Sequence, residues 1–372
     1  MKVLIIGGGP CGIMAAIETK KNNPTYDVVL LEKDSRSIGS RIKVSGNGRC
    51  NLGNSNIAPS RYNNPSFVND ILSLKDDLFS YLNEGGLGYY SDEEGRIYPI
   101  SESSVSVIHV LNNLLNKYGV EVKLDSKVTS IKKEGSKYLV LCEKEEYIGD
   151  KIILACGGIS QLNDKNLYYS LLSDLKVKIS DLTPSLTPII TSKFDKRMEG
   201  KRCKANVKLF RNGDLVKIED GEILFKKDGV SGIVMFNMSS YLSRLHINDY
   251  SEFYFIIDLL PKITYHQYLT FRRIDPSLRN IMQEDLAREV TTKGIDPKEF
   301  LLEIKGLYDF KNSQVTSGGV LLEELNSNLS LKKDNNIFIG GETINIDGEC
   351  GGYNIEFAFL SGIKIGRFIN EK

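Results

Sequence analysis

Residues 3–32 constrain this chain more tightly than any other part of it. Val3-Leu4-Ile5-Ile6 is a short, wholly apolar, β-favouring run, the kind that suits a strand covered on both faces of a parallel sheet. Gly7-Gly8-Gly9-Pro10-Cys11-Gly12 follows directly and sets Gly7, Gly9 and Gly12 in a GxGxxG spacing. A helical stretch from Ile13 to Lys21 comes next. A second apolar strand, Val28-Val29-Leu30-Leu31, then ends in Glu32 and Lys33. In this spacing Gly7 permits the tight turn, Gly9 lets backbone approach a pyrophosphate, and Gly12 lets the helix pack closely on the strand. Pro10 and Cys11 sit at the helix opening, whose free amides meet the anion. Glu32 lies 20 residues beyond Gly12. An acid there accepts hydrogen bonds from an adenosine ribose and repels a 2′-phosphate. A glycine turn without a ligand is the plain alternative, yet strand, helix, second strand and terminal acid all stand where the fingerprint needs them. The motif alone does not separate NAD from FAD.

Composition narrows the rest. In 372 residues, basic and acidic side chains balance at 48 each, which argues against a nucleic-acid-binding protein with its usual basic excess. The six cysteines stand no closer than 14 residues apart, so no CxxC pair supports a local dithiol centre or a zinc knuckle. The three histidines have no ligand spacing, and no metal site is expected. Scattered cysteines fit a reducing compartment. Gly7 to Pro10 interrupt the amino-terminal apolar run, which argues against a secretory signal. No apolar stretch approaches the roughly 18 residues of a membrane span. The expectation is a cytoplasmic protein.

Residues 39–54 are glycine-rich and basic, with Arg41, Lys43 and Arg49, and suit a loop around an anionic or polar ligand or a solvated basic loop. Residues 66–84 and 104–118 read as helices, with a hairpin-like excursion at 95–99 between them. Four short runs (120–124, 127–132, 138–143 and 146–148) suggest a small antiparallel sheet over a crossover. Ile152 to Ala155 is another buried strand, ending in Cys156-Gly157-Gly158. From about 189 to 258 the chain alternates apolar and polar residues, with turns expected at Asn212-Gly213, Asp220-Gly221 and Asp228-Gly229. From Pro261 to about Lys305 the pattern is helical. Residues 189–312 therefore read as an insertion, β-rich with a helical segment at about 261–305, into a domain made of 1–188 and 313–372. Seven basic residues at 193–208 read as a solvated face.

Near the carboxyl end, residues 336–340 are a strand, followed by Gly341-Glu342, an acidic loop and Gly351-Gly352-Tyr353-Asn354 at a helix start. Ala358, Gly362 and Gly366 give that helix one small face, expected to lie against the sheet. Packing does not explain the Gly351-Gly352 pair. A helix opening under the pyrimidine end of a flavin would stabilise negative charge on the reduced ring. Glu342 is placed to meet a ribityl chain or the pyrophosphate edge.

These segments together resemble the bacterial flavoproteins called HI0933-like or BaiN-like, within the glutathione-reductase-type FAD superfamily. The matching stretches are IIGGGPCG (5–12), LLEKD (30–34), SGNGRCNLGN (45–54), LACGGIS (154–160), GEILFKKDGVSG (221–232), VTSGGV (315–320) and GGETINIDGECGGYNIEFAFLSG (340–362), in family order over nearly the whole chain. The resemblance implies an α/β fold: a Rossmann-type FAD-binding domain built from both ends of the chain, a small antiparallel crossover sheet, and an inserted β-barrel-like subdomain with a small helical part. It implies FAD as cofactor. Gly7, Gly9, Gly12 and Glu32 would hold the ADP half. Ser45, Gly46, Gly48, Arg49, Cys50 and Asn51 would border the flavin. The Val128 backbone would meet the adenine, and Gly157 and Gly158 would pass close to the dinucleotide. Gly341, Glu342, Gly351, Gly352, Tyr353 and Asn354 would hold the ribityl chain and ring. The chain departs from the family pattern at Gly39-Ser40-Arg41, at Cys156 and in a short segment after Ser160, which bears on the substrate pocket.

The resemblance implies a flavin oxidoreductase passing hydride through N5, with NADH or NADPH as transient donor and a small organic C=C acceptor. An oxidase of a small amine such as aminoacetone is the alternative. Readings from other classes are a flavin-binding redox sensor or RNA-associated factor without turnover, and a plain NAD-dependent dehydrogenase. Arg49, Asn51 and Tyr353 are the polar groups expected nearest the ring, and Cys50 and Cys350 read as structural thiols. No catalytic acid or base, and no oligomeric state, is legible.

Overall fold

A computed structural model describes residues 1–161 and 164–371. In chain order the first part holds β1 (Lys2–Ile6), α1 (Pro10–Asn22), β2 (Asp27–Leu31), α2 (Ser40–Val44), β3 (Gly53–Asn54), α3 (Pro65–Leu72), α4 (Lys75–Glu84), β4 (Tyr89–Ser91), β5 (Arg96–Pro99), α5 (Ser104–Tyr118), β6 (Glu121–Lys123), β7 (Val128–Glu134), β8 (Lys137–Cys142), β9 (Glu146–Gly149), β10 (Lys151–Leu154) and α6 (Lys165–Asp174). The middle holds β11 (Thr183–Ser185), β12 (Ile189–Thr191), β13 (Arg202–Arg211), β14 (Asp214–Lys226), β15 (Gly229–Ser231), α7 (Ile233–Ser243), β16 (Phe253–Asp258), α8 (Tyr265–Ile274), α9 (Glu284–Thr292) and β17 (Phe300–Leu307). The end holds β18 (Val315–Ser317), β19 (Ser330–Leu331), β20 (Asp334–Ile339) and α10 (Tyr353–Arg367). The chain divides into two compact units, one of 1–182 with 316–372 and one of 183–315.

The first unit is a Rossmann-type fold. Its main sheet runs in the order β19-β20-β10-β1-β2-β6, with β1, β2, β6, β10 and β20 parallel and β19 antiparallel at the edge. Val3, Leu4, Ile5, Val29, Leu30, Ile152 and Ile153 are fully buried, as expected for strands covered on both faces. The 120–124 run therefore does not join the small antiparallel sheet. It pairs in parallel with β2, because α5 returns the chain to the sheet edge through a left-handed Gly119. The other three runs form the small sheet β7-β8-β9. The expected helix over 66–84 is two helices. Ser73 Oγ donates to the Asp70 carbonyl at 2.7 Å, and this local bond competes with helix continuation where the chain turns.

The small face of α10 packs on α1 and not on the sheet. A Cβ at Gly362 would stand 2.2 Å from the Cys11 carbonyl oxygen, and one at Gly366 would stand 2.8 Å from the Thr19 nitrogen. Glycine at both positions lets the two helices touch backbone to backbone, running in the same direction. Glu18, almost fully buried on α1, accepts from Arg367 on α10 at 2.9 Å and from the Tyr81 hydroxyl. Deleting Arg367 would leave that buried carboxylate without its counter-charge.

The second unit is a closed barrel in the order β12-β15-β14-β13-β16-β17. Ala205, Val207, Leu209, Ile223, Phe225, Phe255, Ile257, Leu302 and Ile304 fill it by strand alternation. Four expectations are corrected here. Asp220-Gly221 lies inside β14, opposite Asn206 and Ala205, and is no turn. The turn expected at 228–229 is Lys227-Asp228, with Gly229 opening β15. The all-β stretch contains α7, whose apolar sequence is buried on most faces and so shows no period to read. The helical reading to Lys305 also overshoots. Phe300, Leu302 and Ile304 alternate with exposed Leu301, Glu303 and Lys305 in strand β17. Asn212-Gly213 is a true hairpin turn, both residues at positive φ.

Candidate functional site

Two helix openings in the first unit carry the expected residues. At the first, β1 turns into α1 through Gly7 to Gly9, and the helix starts at Pro10, three residues earlier than its apolar pattern suggests. Gly9 is the cap, with no side chain bonded to the turn, so the opening amides remain uncapped by the protein. A Cβ at Gly12 would stand 1.9 Å from the Gly7 carbonyl oxygen, and one at Gly7 2.4 Å from that of Ala155. Beyond Gly9 there is nothing within 4 Å of such a Cβ. The glycines thus do two jobs: close packing behind the turn and open space in front of it. Glu32 is 5% exposed, and its oxygens accept from Gly8 N at 2.7 Å and Asp34 N at 2.9 Å. The carboxylate is held by backbone and keeps lone pairs for a ligand. Lys33 beside it is exposed. Val128 opens β7, buried and facing Cys142 in the register.

Gly157 and Gly158 follow β10 at the same end of the sheet. Gly157 N donates to Thr343 Oγ1 at 3.1 Å, while the space at its own Cβ position is open. A Cβ at Gly158 would press within 2.5 Å of both Glu342 Oε1 and Thr316 Oγ1. Glu342 Oε1 accepts from Thr316 N at 2.7 Å and Ser160 Oγ at 3.4 Å. One oxygen of Glu342 is therefore spent inside the protein. Gly341 N donates to Ser361 Oγ at 2.9 Å, tying this loop to α10. Arg41 reaches from α2 to Ser160 Oγ at 3.0 Å and Gln161 Oε1 at 3.1 Å, which joins the 39–54 loop to the loop after β10.

At the second opening, Ser45 to Asn51 curl against the start of α10. Gly46, Asn47, Gly48 and Cys50 all have positive φ. This is the physical content of the SGNGRC run: a left-handed coil that only glycine, asparagine and a few others tolerate. Ser45 Oγ bonds the Ile42 carbonyl at 3.0 Å. Arg49 swings outward, pairing with Glu102 at 3.2 Å and lying over the Tyr98 ring at 4.4 Å. Asn51 is 8% exposed, and its carbonyl oxygen has no hydrogen-bond partner. Gly352 caps α10 at φ 103°, and a Cβ there would meet Gly53 O at 2.4 Å and Asn51 Oδ1 at 2.7 Å. Asn51 therefore sits directly against the opening of α10, which no side chain caps.

Asn354 is spent on structure: its Oδ1 accepts from Gly348 N at 2.8 Å and its Nδ2 donates to Gly348 O at 3.0 Å, which closes the loop before the helix. Gly351 carries a positive φ in the same loop. Tyr353 is buried, edge-on to Tyr62, whose hydroxyl donates to the Tyr353 carbonyl at 2.9 Å. Burial pushes the thiols of Cys11, Cys50 and Cys350 up to about 12 and that of Cys156 up to about 11. None is a ready thiolate.

Three participants escaped sequence reasoning. Thr343 and Thr316 fasten the loop after β10. Glu356, in the first turn of α10, is fully buried. Its Oε2 accepts from Asn54 N at 2.8 Å, while Oε1 has no partner. Burial pushes this carboxyl up to about 7. The signal was present: a lone acid inside the otherwise apolar run Ile355 to Leu360.

The model of the HI0933-like protein Rossmann domain matches residues 1–368. A 3-dehydro-bile acid delta(4,6)-reductase of Clostridium scindens is 26% identical over all of this chain and 99% of its own length. The ribosomal RNA dihydrouridine synthase of Escherichia coli is 24% identical, covering 96% of this chain and 95% of the relative. Among solved structures, E. coli quinol fumarate reductase superposes with a TM-score of 0.53 at 13% identity over the whole chain and 70% of that protein. A 3-ketosteroid dehydrogenase from Rhodococcus jostii superposes with a TM-score of 0.51 at 11% identity, covering all of this chain and 96% of that one. At these identities the superpositions speak to fold.

Proposed function

We propose, from the premise that the chain belongs to the HI0933-like family and is a flavin-dependent oxidoreductase, that FAD is its flavin and that it uses NAD(P)H to reduce a carbon–carbon double bond conjugated with a carbonyl. The observation that carries this reading is the pair of uncapped helix openings, at Gly9 and Gly352, with the unpartnered Asn51 oxygen beside the second. The residues fit a two-ended coenzyme. Gly362 of α10 abuts Cys11 of α1, and the two helices run in the same direction. Tyr353 stands nine residues before Gly362 and Pro10 one before Cys11, so α10 opens about 12 Å before the level of the α1 opening, at ~1.5 Å per residue.

In this assignment the amides at Gly9, Cys11 and Gly12 bind the diphosphate, and Glu32 accepts the adenosine ribose hydroxyls. The Val128 backbone meets the adenine. Gly157, held by Thr343, keeps backbone low beside the dinucleotide. Gly341 and Glu342 border the ribityl chain. The amides that open α10, from Gly352 onward, face the pyrimidine end of the ring, where Asn51 takes a ring N–H. Bound there, the flavin supplies hydride transfer through its N5. The chain supplies orientation, a positive helix end where negative charge collects, and, through Tyr62 and Tyr353, a wall against water.

The acceptor class rests on relatives. Reduction of a 3-dehydro-bile acid at delta(4,6) and of uridine to dihydrouridine both saturate a double bond conjugated with a carbonyl. A small free acceptor suits this chain better than an RNA. Its net charge is zero. In the basic run at 193–208, Lys201 pairs with Asp285, Arg202 with Glu222 and Arg197 with Asp195. Anaerobic titration of FAD-loaded protein with NADH and with NADPH tests the donor: one of them bleaches the flavin, and an enone then restores the colour. No bleaching by either removes the reductase reading. Peroxide release from an amine under air would establish an oxidase, and dihydrouridine formed in RNA would move the acceptor to that class.

A further inference from the structure

Glu356 stands out among the described carboxyl groups, because one of its buried oxygens has no partner. Glu18 is met by Arg367 and Tyr81, Asp334 by Lys133 and Tyr138, and Lys298 by Asp258. Glu356 has one donor for two oxygens. We propose that Glu356 is a proton-holding positioning residue of the α10 site, neutral when the site carries negative charge and ionised when it does not.

The geometry supports this from three sides. First, the carboxyl is fully buried, with one oxygen bonded to Asn54 N and the other orphaned. A buried carboxylate with a single donor is costly, and a bound proton removes that cost. Second, Glu356 lies in the first turn of α10, whose positive end favours the carboxylate. An anion seated at the same opening takes up those amides and reverses the preference. Third, of the charged and titratable groups around it only Lys75 acts on it strongly. Lys75 on α4, whose Nζ donates to Asn54 O at 2.9 Å, favours ionisation. Tyr62, in the segment before α3, and Tyr353 on α10 itself are neutral, both pushed up by burial. Asp70 on α3 is exposed. Glu342 in the loop before α10 is engaged with Thr316, and Asp77 on α4 and Glu18 on α1 with Arg367. Burial outweighs the Asn54 amide and Lys75 and pushes the carboxyl up to about 7, so a modest change of charge beside it moves its proton. The step is a plain protonation: an O–H bond forms on the carboxylate with a proton from solvent and breaks again when the charge leaves. This proposal rests on the flavin reading.

The test compares FAD-loaded wild-type protein with Glu356→Gln, which keeps the acceptor for Asn54 N. The midpoint potential of the bound flavin is followed across about pH 5 to 9, around the neutral region where the carboxyl titrates. Reduced-minus-oxidised infrared spectra follow the protonated-carboxyl band. Wild type is expected to take up about one more proton per two electrons than Glu356→Gln near neutrality, with a carboxyl band that grows on reduction and is missing from the variant. Lys75→Met, outside the cofactor contacts, is expected to move that uptake to higher pH. A wild-type pH dependence matched by Glu356→Gln, or a reduction that leaves the wild-type carboxyl band unchanged, overturns the proposal. If Glu356→Gln does not load, the wild-type band and its Lys75→Met shift decide. A wild-type chain that holds no FAD overturns the flavin reading, and the proposal with it.

Discussion

The two helix openings of the first unit solve one problem differently. The opening of α1 is a steric construction. Its charged neighbour Glu32 is bonded by two backbone amides, and Gly7 and Gly12 are crowded from behind while Gly9 faces open space. Among the described residues no buried side chain at this opening lacks a partner, and what stays free there is the helix's own amides. The opening of α10 is chemically unfinished. Asn51 Oδ1 and Glu356 Oε1 are buried with no donor, a state that costs about 1–3 kcal/mol per group. The lesson is a division of labour: a rigid, satisfied seat fixes where a diphosphate lies, and a strained, unsatisfied one is left to respond to what the ring does.

Substitutions can break this contrast at either end. The largest effect is expected from Gly12→Ala. Its Cβ has no room against the Gly7 carbonyl, and the loss should exceed about 3 kcal/mol, read from urea unfolding, together with loss of bound flavin. Glu356 carries the next largest effect, and it depends on pH. The ordinary carboxyl value of 4.5 rises to about 7 in the fold, so the folded state holds the proton more tightly than the unfolded one. Below 4.5 both states are protonated and the group is neutral to stability. As pH rises from there to about 7 the unfolded state alone gives up its proton, and stability falls by up to about 3 kcal/mol. Unfolding midpoints over that range should show a decline in wild type that Glu356→Gln lacks; parallel curves would contradict the assignment.

Gly352→Ala should cost about 2 kcal/mol through its φ of 103° and the contact with Gly53 O, and should weaken FAD binding more than Gly12→Ala does per unit of stability lost. Asn51→Ala sharpens the contrast in the other direction. It removes an unsatisfied group but also that side chain's packing, two effects that offset, so the ligand-free protein should be nearly unchanged by thermal melting, while FAD affinity falls about tenfold, or ~1.4 kcal/mol. Arg49→Ala should matter least to stability, about 0.5 kcal/mol by unfolding, since its pair with Glu102 is half-exposed.

Legibility followed the same divide. The α1 seat was readable because its requirements are local: a strand, three glycines, a helix and an acid at fixed spacing within 32 residues. The 39–54 stretch was readable as a loop because its glycines and asparagines mark it, while the left-handed coil at 46–50 showed only in the fold. The partner of α10's small face was not readable, because glycine spacing reports a close approach without saying to what. The sheet was the expected partner, yet it is α1 that carries Cys11, Ala15 and Thr19 opposite those glycines. Within the barrel, α7 was hidden by burial on most faces, and β17 by charges that resemble a helical surface.

Taken alone, the amino-acid order determined that a dinucleotide-type turn opens the chain, that both ends contribute glycine-led loops, and that a β-rich segment lies between. Folding decided which polar groups were left short of partners. Asn51 and Glu356 are 305 positions apart, and their deprivation arises only when the 45–54 coil and the first turn of α10 exclude water from each other. Burial and hydrogen-bond satisfaction are properties of the surroundings in three dimensions, so no spacing along the chain can encode them legibly.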